Sequence, residues 1–569
     1  MHTETDFTEL VTRVIDMRIA RKARFMDHMT ENILPVRIME FAQGVENVQT
    51  LLRKKAVQIA LDERDVCKAC GGFIVLDFGR EYSGALRILC HTVSGGDAKI
   101  RIRFGESYTE ANSELGCNGA GNDHSPRDFY ADICDYSDLT FGQTGFRFVR
   151  IDFPSGVKIE LKSVYAAFTH CGLTQVGDFT CSDALVNEIY DTACRTAYLC
   201  VQNGMVWDGI KRDRLVWIGD TYPEIKALSY SYGAADEIKN SLRFAMRTNP
   251  QPGWMQRMPS YTVWFVMALY EYFLHTADME FLRECGDYLL ALGELFDDRV
   301  SVGGRLLFND ERKEGKPVFL DWQTAELPET EHGVSALLKV AAQNGIYLCE
   351  KLGLPCDSFL RVIEKLGRRK IVKTKHKQIT AMQSLSGDRD AYECAKEIAL
   401  GGAKGMSSFM SYFILSAAAK GGETAAALKM LKEYYSGMLS RGATSFWEDF
   451  NVEWLSGSGR IDEPTPSGLK DLHADFGAHC YKGLRHSLCH GWSCGAAPYL
   501  IENVLGIKIE DAGCRKISVS PALGELTYAS GSIVTPYGRA SVQVERDKNG
   551  NAVAHVDAPA QIEVIVKKQ

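Results

Sequence analysis

Gly177-Asp178-Phe179-Thr180-Cys181-Ser182 is where the chain changes character. Before it, apolar residues come in short β-branched or aromatic runs. After it, Leu185, Ile189, Ala193 and Ala197 recur every four residues, the period of one helix face. Ser182 is placed to cap a helix starting at Asp183 by accepting a free backbone N–H of its first turn. Helical periods follow around 222–246, 261–275, 279–296, 332–352, 356–367, 389–399, 407–419 and 423–440, with Gly- or Pro-containing breaks between them. About ten amphipathic helices with few strands among them predict an (α/α)6 toroid over 178–503; the lack of an exact repeat argues against a solenoid.

Outward from this core the pattern is β. In 35–172, Phe73–Gly79 and Ala85–Leu89 are short runs broken by Gly and Ser, while Lys99–Phe104 and Phe146–Ile151 largely alternate polar and apolar. This predicts a β-sandwich. The Gly- and Asn-rich piece Glu114–Ser125 reads as a long loop reaching toward a neighbouring domain. From 504 to 569, Lys516–Val519, Gly531–Val534, Ala540–Val544 and Ile562–Val566 predict a smaller C-terminal sandwich, with turns at Pro536-Tyr537-Gly538 and Lys548–Asn551. Residues 1–34 form an N-terminal helical segment in this reading, with an amphipathic helix near Phe7–Lys22.

Composition narrows the partners. The 569 residues carry 65 Lys and Arg against 73 Asp and Glu, a net charge of -8. One basic run, Arg368–Lys377, reads as a solvated surface loop, so nucleic acid is not expected. The 17 cysteines are scattered, and Cys67-Lys68-Ala69-Cys70 has no second CxxC to complete a zinc site. Such cysteine usage suits a reducing cytoplasm. The acidic start Met1–Asp6 is unlike a signal peptide, and no apolar run reaches the ~18 residues of a membrane span. A cytoplasmic location with no membrane partner is expected, and a homodimer is compatible with the sequence.

The chemistry concentrates in Trp207-Asp208-Gly209-Ile210-Lys211-Arg212-Asp213-Arg214-Leu215-Val216-Trp217-Ile218-Gly219-Asp220. Two carboxylates and two arginines between two tryptophans, with a third carboxylate following at Asp220, suit a pocket that stacks a sugar ring and works on its glycosidic bond. The same residues also suit a salt-bridged loop with core tryptophans. Gly209 and Gly219 favour a loop; in a helix Asp213 and Asp220 would stand about 10 Å apart, far for a working pair. Glu448, beside Trp447 in Gly442–Phe450, is either a helix-start carboxylate or a general base. Asp321-Trp322 sets another carboxylate next to an indole. In Arg485–Cys494, His486, Cys489, His490 and Cys494 lack a separate zinc-ligand pair, and a His bonding a substrate hydroxyl is preferred. There is no GxSxG, Gly401–Ser407 lacks P-loop order, and no dinucleotide fingerprint occurs.

Asp208-x4-Asp213-Arg214-Leu215-x-Trp217-x-Gly219-Asp220 resembles the central motif of glycoside hydrolase family 78, the bacterial α-L-rhamnosidases. Val75–Gly79 and Arg103-Phe104-Gly105-Glu106 look like that family's β-sandwich. Ala443–Glu448 is similar to its Thr-Thr-x-Trp-Glu segment, and Ser487–His490 to its Ser-x-Asn-His segment. The resemblance covers about 70–569. It implies a hydrolase that inverts anomeric configuration and releases a terminal α-L-rhamnose or similar sugar, with no cofactor or metal. Asp213 falls on the general acid and Glu448 on the general base. Asp208, Arg212, Trp217, Asp220, Asp321, Trp322, Trp447 and His490 are implied to bind the sugar.

Two departures qualify this. The family acid is Glu, and its motif is one residue longer counted from Asp208. Replacement by Asp213 withdraws the carboxyl by about 1.5 Å. Closer backbone, a different sugar, donation by Asp208 or Asp220, or loss of hydrolysis each accommodates that change. The insertion between Glu448 and His490, with Asp462–Ser467, is expected to reshape the pocket rim. Rival readings are another toroidal glycosidase, a polysaccharide lyase, and a carbohydrate-binding relative without turnover.

Overall fold

The computed structural model describes residues 29–55, 65–249, 253–308, 318–325, 327–479 and 481–567. The helix expected over 7–22 lies outside them. The toroid is closed: Thr221–Ser231, Pro259–Thr276, Thr330–Leu352, Lys377–Leu385 and Ser411–Lys420 pack each on the next as an inner ring. The helical run 491–504 closes it against Ser411–Lys420 and Thr221–Ser231. Outside lie Ala184–Leu199, Ala235–Thr248, the pair Met279–Glu284 and Gly286–Asp298, Asp357–Gly367, Ala391–Ala399 and Thr424–Ser440.

Burial follows from this layering. Thr221–Ser231 is buried along its whole length and Pro259–Thr276 nearly so, as inner helices enclosed on all sides must be. Ala235–Thr248 buries only Ile238, Ser241, Leu242 and Ala245, and Asp357–Gly367 only Phe359, Val362 and Leu366. These outer helices carry the clean amphipathic stripe that a sequence period detects.

Three local expectations are corrected. The cap of the first toroid helix is Asp183, whose side chain accepts from Leu185 N at 3.0 Å. Ser182 Oγ instead accepts from Thr527 N at 3.0 Å, tying the helix start to the C-terminal sheet. The period over 222–246 is two helices, broken where Gly233 takes φ 63° and its N–H bonds Leu228 O. The basic run is a loop through His376 as expected, but its last residue, Lys377, opens the inner helix Lys377–Leu385, which the helical periods above do not include. Its buried Gln378, Thr380, Gln383 and Ser384 leave no apolar stripe to read.

Connections are asymmetric. Turns from inner to outer helices are tight, as at 232–234, 277–278 and 353–356. Connections from outer to inner helices include the long segments 200–220, 299–329 and 441–490. Every stretch singled out for chemistry lies on one of these three, so all gather at the mouth formed by the inner-helix N-termini.

The N-terminal region is one nine-stranded sheet. Its long strands Phe73–Ser94, Ser137–Asp152 and Lys158–His170 pair antiparallel, with register shifts between Asp77 and Tyr82 and between Gly84 and Leu86. Met29–Ile33, placed within the helical segment by sequence, is a strand paired to Ala166–His170. Its core runs into the toroid, because Leu199, Cys200, Ile210 and Cys489 pack with it. The C-terminal region holds a four-stranded sheet and a three-stranded one. Asp178–Cys181, assigned above to the toroid, is an edge strand of the former, paired to Ala529–Ser532.

Candidate functional site

The 207–220 stretch is a loop pinched at its base. Asp208 N donates to Leu215 O at 2.9 Å, and Asp208 Oδ1 accepts from Leu215 N at 2.8 Å. Asp213 and Arg214 form the tip with φ of 54° and 56°. Gly209 bridges to His490, and Gly491 N donates to Asp208 O at 2.7 Å, so the loop lies directly on the 441–490 connection. Gly219 has to be glycine: a Cβ there would lie 2.5 Å from the Tyr261 ring.

Arg212 joins the two residues expected to do the chemistry. Its Nη1 donates to Asp213 Oδ1 at 3.0 Å and its Nη2 makes a short bond to Glu448 Oε1. The guanidinium also lies 5.0 Å from the Tyr481 ring centre. Asp213 Oδ2 accepts from Trp217 Nε1 at 3.1 Å, and His124 Nε2 is 3.4 Å from Asp213 Oδ1. His124 belongs to the long loop of the sandwich, whose Ser125 Oγ also donates to Lys211 O; that loop does reach the toroid.

Behind this pair sits a buried acidic layer. His490 Nε2 is 3.3 Å from Glu448 Oε1, 3.7 Å from Asp208 Oδ2 and 3.8 Å from Asp220 Oδ2. Asp220 Oδ1 accepts from Tyr261 OH at 2.6 Å. Burial, with Asp220 alongside, pushes Asp208 well above the carboxylate range; burial does the same for Asp220 against the Tyr261 bond. Glu448 is raised to about 7 by burial, opposed by Arg212. His490 is held neutral, its pKa driven well below the usual value by burial and by Arg212. Glu224, at the start of the next inner helix, is buried with neither carboxyl oxygen partnered among the described residues.

A cavity of about 200 Å³ opens beside Glu448. Aromatic walls come from Trp322, Trp454, Tyr481 and Trp492, and polar groups from Asp321, Asp449 and His479. Trp322 stands 5.5 Å from the His479 ring and 5.7 Å from Tyr481. Asp321 accepts from Ser407 and from Trp322 N, and burial lifts it to about 6. Glu448, Asp321 and Trp322 therefore share one cavity, with Asp213 across Arg212 from it and not in its wall. Trp447 is not at this surface: 1% exposed, it packs edge-on against Phe450 in the core.

Several lining residues were not singled out by sequence. Tyr481 and His479 lie in the insertion before His490, and Trp492 follows His490 by two residues; the Trp454 indole and Asp449 carboxyl stand shortly after Glu448. The insertion contributes to the wall through Gly477, Ala478, His479 and Tyr481. Its acidic run does not: Asp462 pairs with Arg460 at 2.8 Å and Arg147 at 3.4 Å, against the sandwich. His486 Nε2 accepts from Asp449 N at 2.8 Å, a backbone contact that holds the ring against the Glu448 segment. Among the described residues, two buried groups have ligand atoms within 4.8 Å of one another: Asp208, Asp220 and His490, and Glu106, Glu110 and His473. The second already holds a cation, because Lys211 Nζ lies 3.0 Å from Glu106 and 3.2 Å from Glu110.

Comparison with known proteins agrees with this architecture. Residues 174–289 match the model of the bacterial alpha-L-rhamnosidase six-hairpin glycosidase domain. The chain superposes on a GH78 family rhamnosidase of Bacillus sp. GL1 with a TM-score of 0.70 at 19% identity, covering 92% of this chain and 55% of that one. For the rhamnosidase from Klebsiella oxytoca with rhamnose bound the values are 0.63, 19%, 84% and 96%. For the Streptomyces avermitilis alpha-L-rhamnosidase complexed with L-rhamnose they are 0.68, 15%, 95% and 50%. The chain thus spans about half the length of two of these relatives. These likenesses show the six-hairpin toroid with its flanking sheets. No curated protein matches the chain by sequence.

Proposed function

We propose that this protein is an exo-acting glycoside hydrolase that releases a terminal α-L-rhamnose or similar α-linked sugar with inversion. One observation carries the reading: a single guanidinium, Arg212, links Asp213 and Glu448 beside an aromatic-walled cavity. Sugar hydrolysis needs two carboxyls on opposite sides of one ring, and inversion needs room for a water at the second. The domain match and the rhamnosidases among the similar structures support the choice of sugar.

In this reading the pyranose enters the cavity with its least hydroxylated face on Trp322, and Asp208, Asp220 and His490, buried behind Glu448 and outside the cavity wall, receive its hydroxyls once the Arg212–Glu448 contact opens. Asp213 is the most exposed acid of the group, with side-chain exposure of 20% against 1% for Glu448. It protonates the departing glycosidic oxygen at the mouth. Glu448 takes a proton from water on the far face. The Arg212–Glu448 contact opens as substrate enters, because that contact fills the space water must occupy. A screen of aryl glycosides across L- and D-sugars tests the assignment: turnover of the α-L-rhamnoside above all others is expected, and turnover of none refutes it.

One observation favours a second reading. Asp213 is absent from the cavity wall, as it would be in a relative that binds sugar without cleaving it. Calorimetric binding of rhamnose with no release of reducing sugar from any glycoside would select that reading.

A further inference from the structure

The N-terminal sandwich contributes a carboxylate, Glu106, that touches neither the cavity nor Asp213 but is 1% exposed and fully engaged. It follows directly on strand Ala98–Gly105. Its Oε2 accepts from Leu488 N at 2.6 Å and lies 3.0 Å from Lys211 Nζ, while its Oε1 accepts from Ser487 Oγ at 3.3 Å. The Ser487–Leu488 segment is in turn the clamp on Glu448. Ser487 N donates to Glu448 Oε2 at 3.2 Å, and Glu448 N donates to Ser487 O at 3.0 Å. Glu106 thus holds the backbone that holds the base.

Glu106 is itself tightly placed. Its own N–H donates to Glu110 Oε2 at 2.8 Å, and Glu110 N donates to Ser107 Oγ at 3.1 Å, a close variant of the Ser-x-x-Glu capping box. Gly105 before it admits no side chain, since a Cβ would lie 2.3 Å from Ala111 N. Lys211, the neighbour of Arg212, also donates to Leu484 O and His486 O, so both acid-bearing connections meet at this point.

We propose that Glu106 is a positioning residue for Glu448, fixing the Ser487–Leu488 peptide so that the base points at the cavity. This rests on the reading of Glu448 as general base. The competing role is charge balance for Lys211, which needs the negative charge and not the reach of the side chain. Two kinds of substitution separate the roles. Glu106→Asp keeps the charge and withdraws the acceptor by about 1.5 Å. Glu106→Gln keeps an acceptor at full reach and removes the charge.

The test measures kcat and KM on an aryl α-L-rhamnoside for wild type, Glu448→Gln, Glu106→Asp, Glu106→Ala and Glu106→Gln, each checked for folding by thermal melt. Positioning predicts that Glu106→Asp and Glu106→Ala lower kcat about ten- to a hundredfold with little change in KM, as a displaced catalytic group does. Glu106→Gln should restore kcat to within about threefold of wild type. The opposite order, with Gln impaired and Asp normal, overturns the proposal, as does wild-type kcat in all three. If Asp and Ala fail to fold while Gln folds, Glu106 serves folding and the proposal falls. A wild type inactive on this and on every other aryl glycoside of the screen overturns the hydrolase reading, and this one with it; where another glycoside is turned over, the same variants are compared on that one. An active Glu448→Gln removes Glu448 as base while leaving hydrolysis standing.

Discussion

At the residue scale, the pair linked by Arg212 makes definite demands. Glu448→Gln should lower kcat on a turned-over aryl glycoside by about 10²–10⁴-fold in a folded protein, the usual contribution of a general base. Asp213→Asn should do the same; asparagine tolerates the left-handed backbone at that position, so the loop is kept. Near-wild-type turnover by either variant removes its assigned role. Glu448 works as a base only when ionised, and burial raises its pKa to about 7. kcat/KM should therefore fall below about pH 7, and Glu448→Gln should abolish that acid limb in whatever turnover remains. The charged members of this group are plain in the sequence because they crowd into 207–220. What is not plain is which neighbour turns inward. Trp447 and Trp217 look alike on paper, yet Trp447 is core and Trp217 donates to Asp213.

At the element scale, the toroid works because its helices are of two kinds. Outer helices announce themselves by a single apolar stripe, and nearly all of them were readable. Inner helices are enclosed, so a polar one such as Lys377–Leu385, just past the basic run, carries no apolar stripe and escapes a local period. Breaks such as Gly233 and Cys285 likewise depend on where the ring must turn, which a local period does not record. Close approach between layers is testable at Gly345, where a Cβ would lie 2.6 Å from the Phe359 ring. Both residues are packed between two helices. Gly345→Ala should cost about 1–3 kcal/mol through overpacking, despite alanine's better helix propensity. A urea titration giving an unchanged or higher midpoint would contradict this account of the layer contact.

At the scale of the whole molecule, the unusual feature is the number of acids withdrawn from water. Burial raises Glu106, Glu448 and Asp449 to about 7, and Glu81, Asp208, Asp220 and Glu224 well above their ordinary values. Each such group keeps its proton in the folded chain at a pH where the unfolded chain has lost it, so the folded state binds more protons and stability falls as pH rises. The buried histidines act the other way only below their ordinary value near 6.5, where His473, at about 4, stays neutral while the unfolded chain protonates. Between pH 6.5 and 8 the raised carboxyls outnumber the groups that oppose them, the tail of the histidine titration and Lys377, whose pKa burial lowers to about 8. Tm should drop across that window, and a rise would mean that these acids are ionised in the fold. The sandwich, toroid and C-terminal sheets were legible as regions, and so was the reach of the 114–125 loop toward a neighbouring domain, but the residues that meet at the joints were not. Glu106 and His124 reach the site from the sandwich through contacts more than three hundred and nearly ninety residues apart in sequence, respectively, and no local pattern encodes them. The most direct test of the paired-acid account is proton NMR of the first sugar formed from an α-L-rhamnoside. Asp213 and Glu448 acting from opposite faces predict that the β-anomer accumulates first and then mutarotates; initial release of the α-anomer would contradict it.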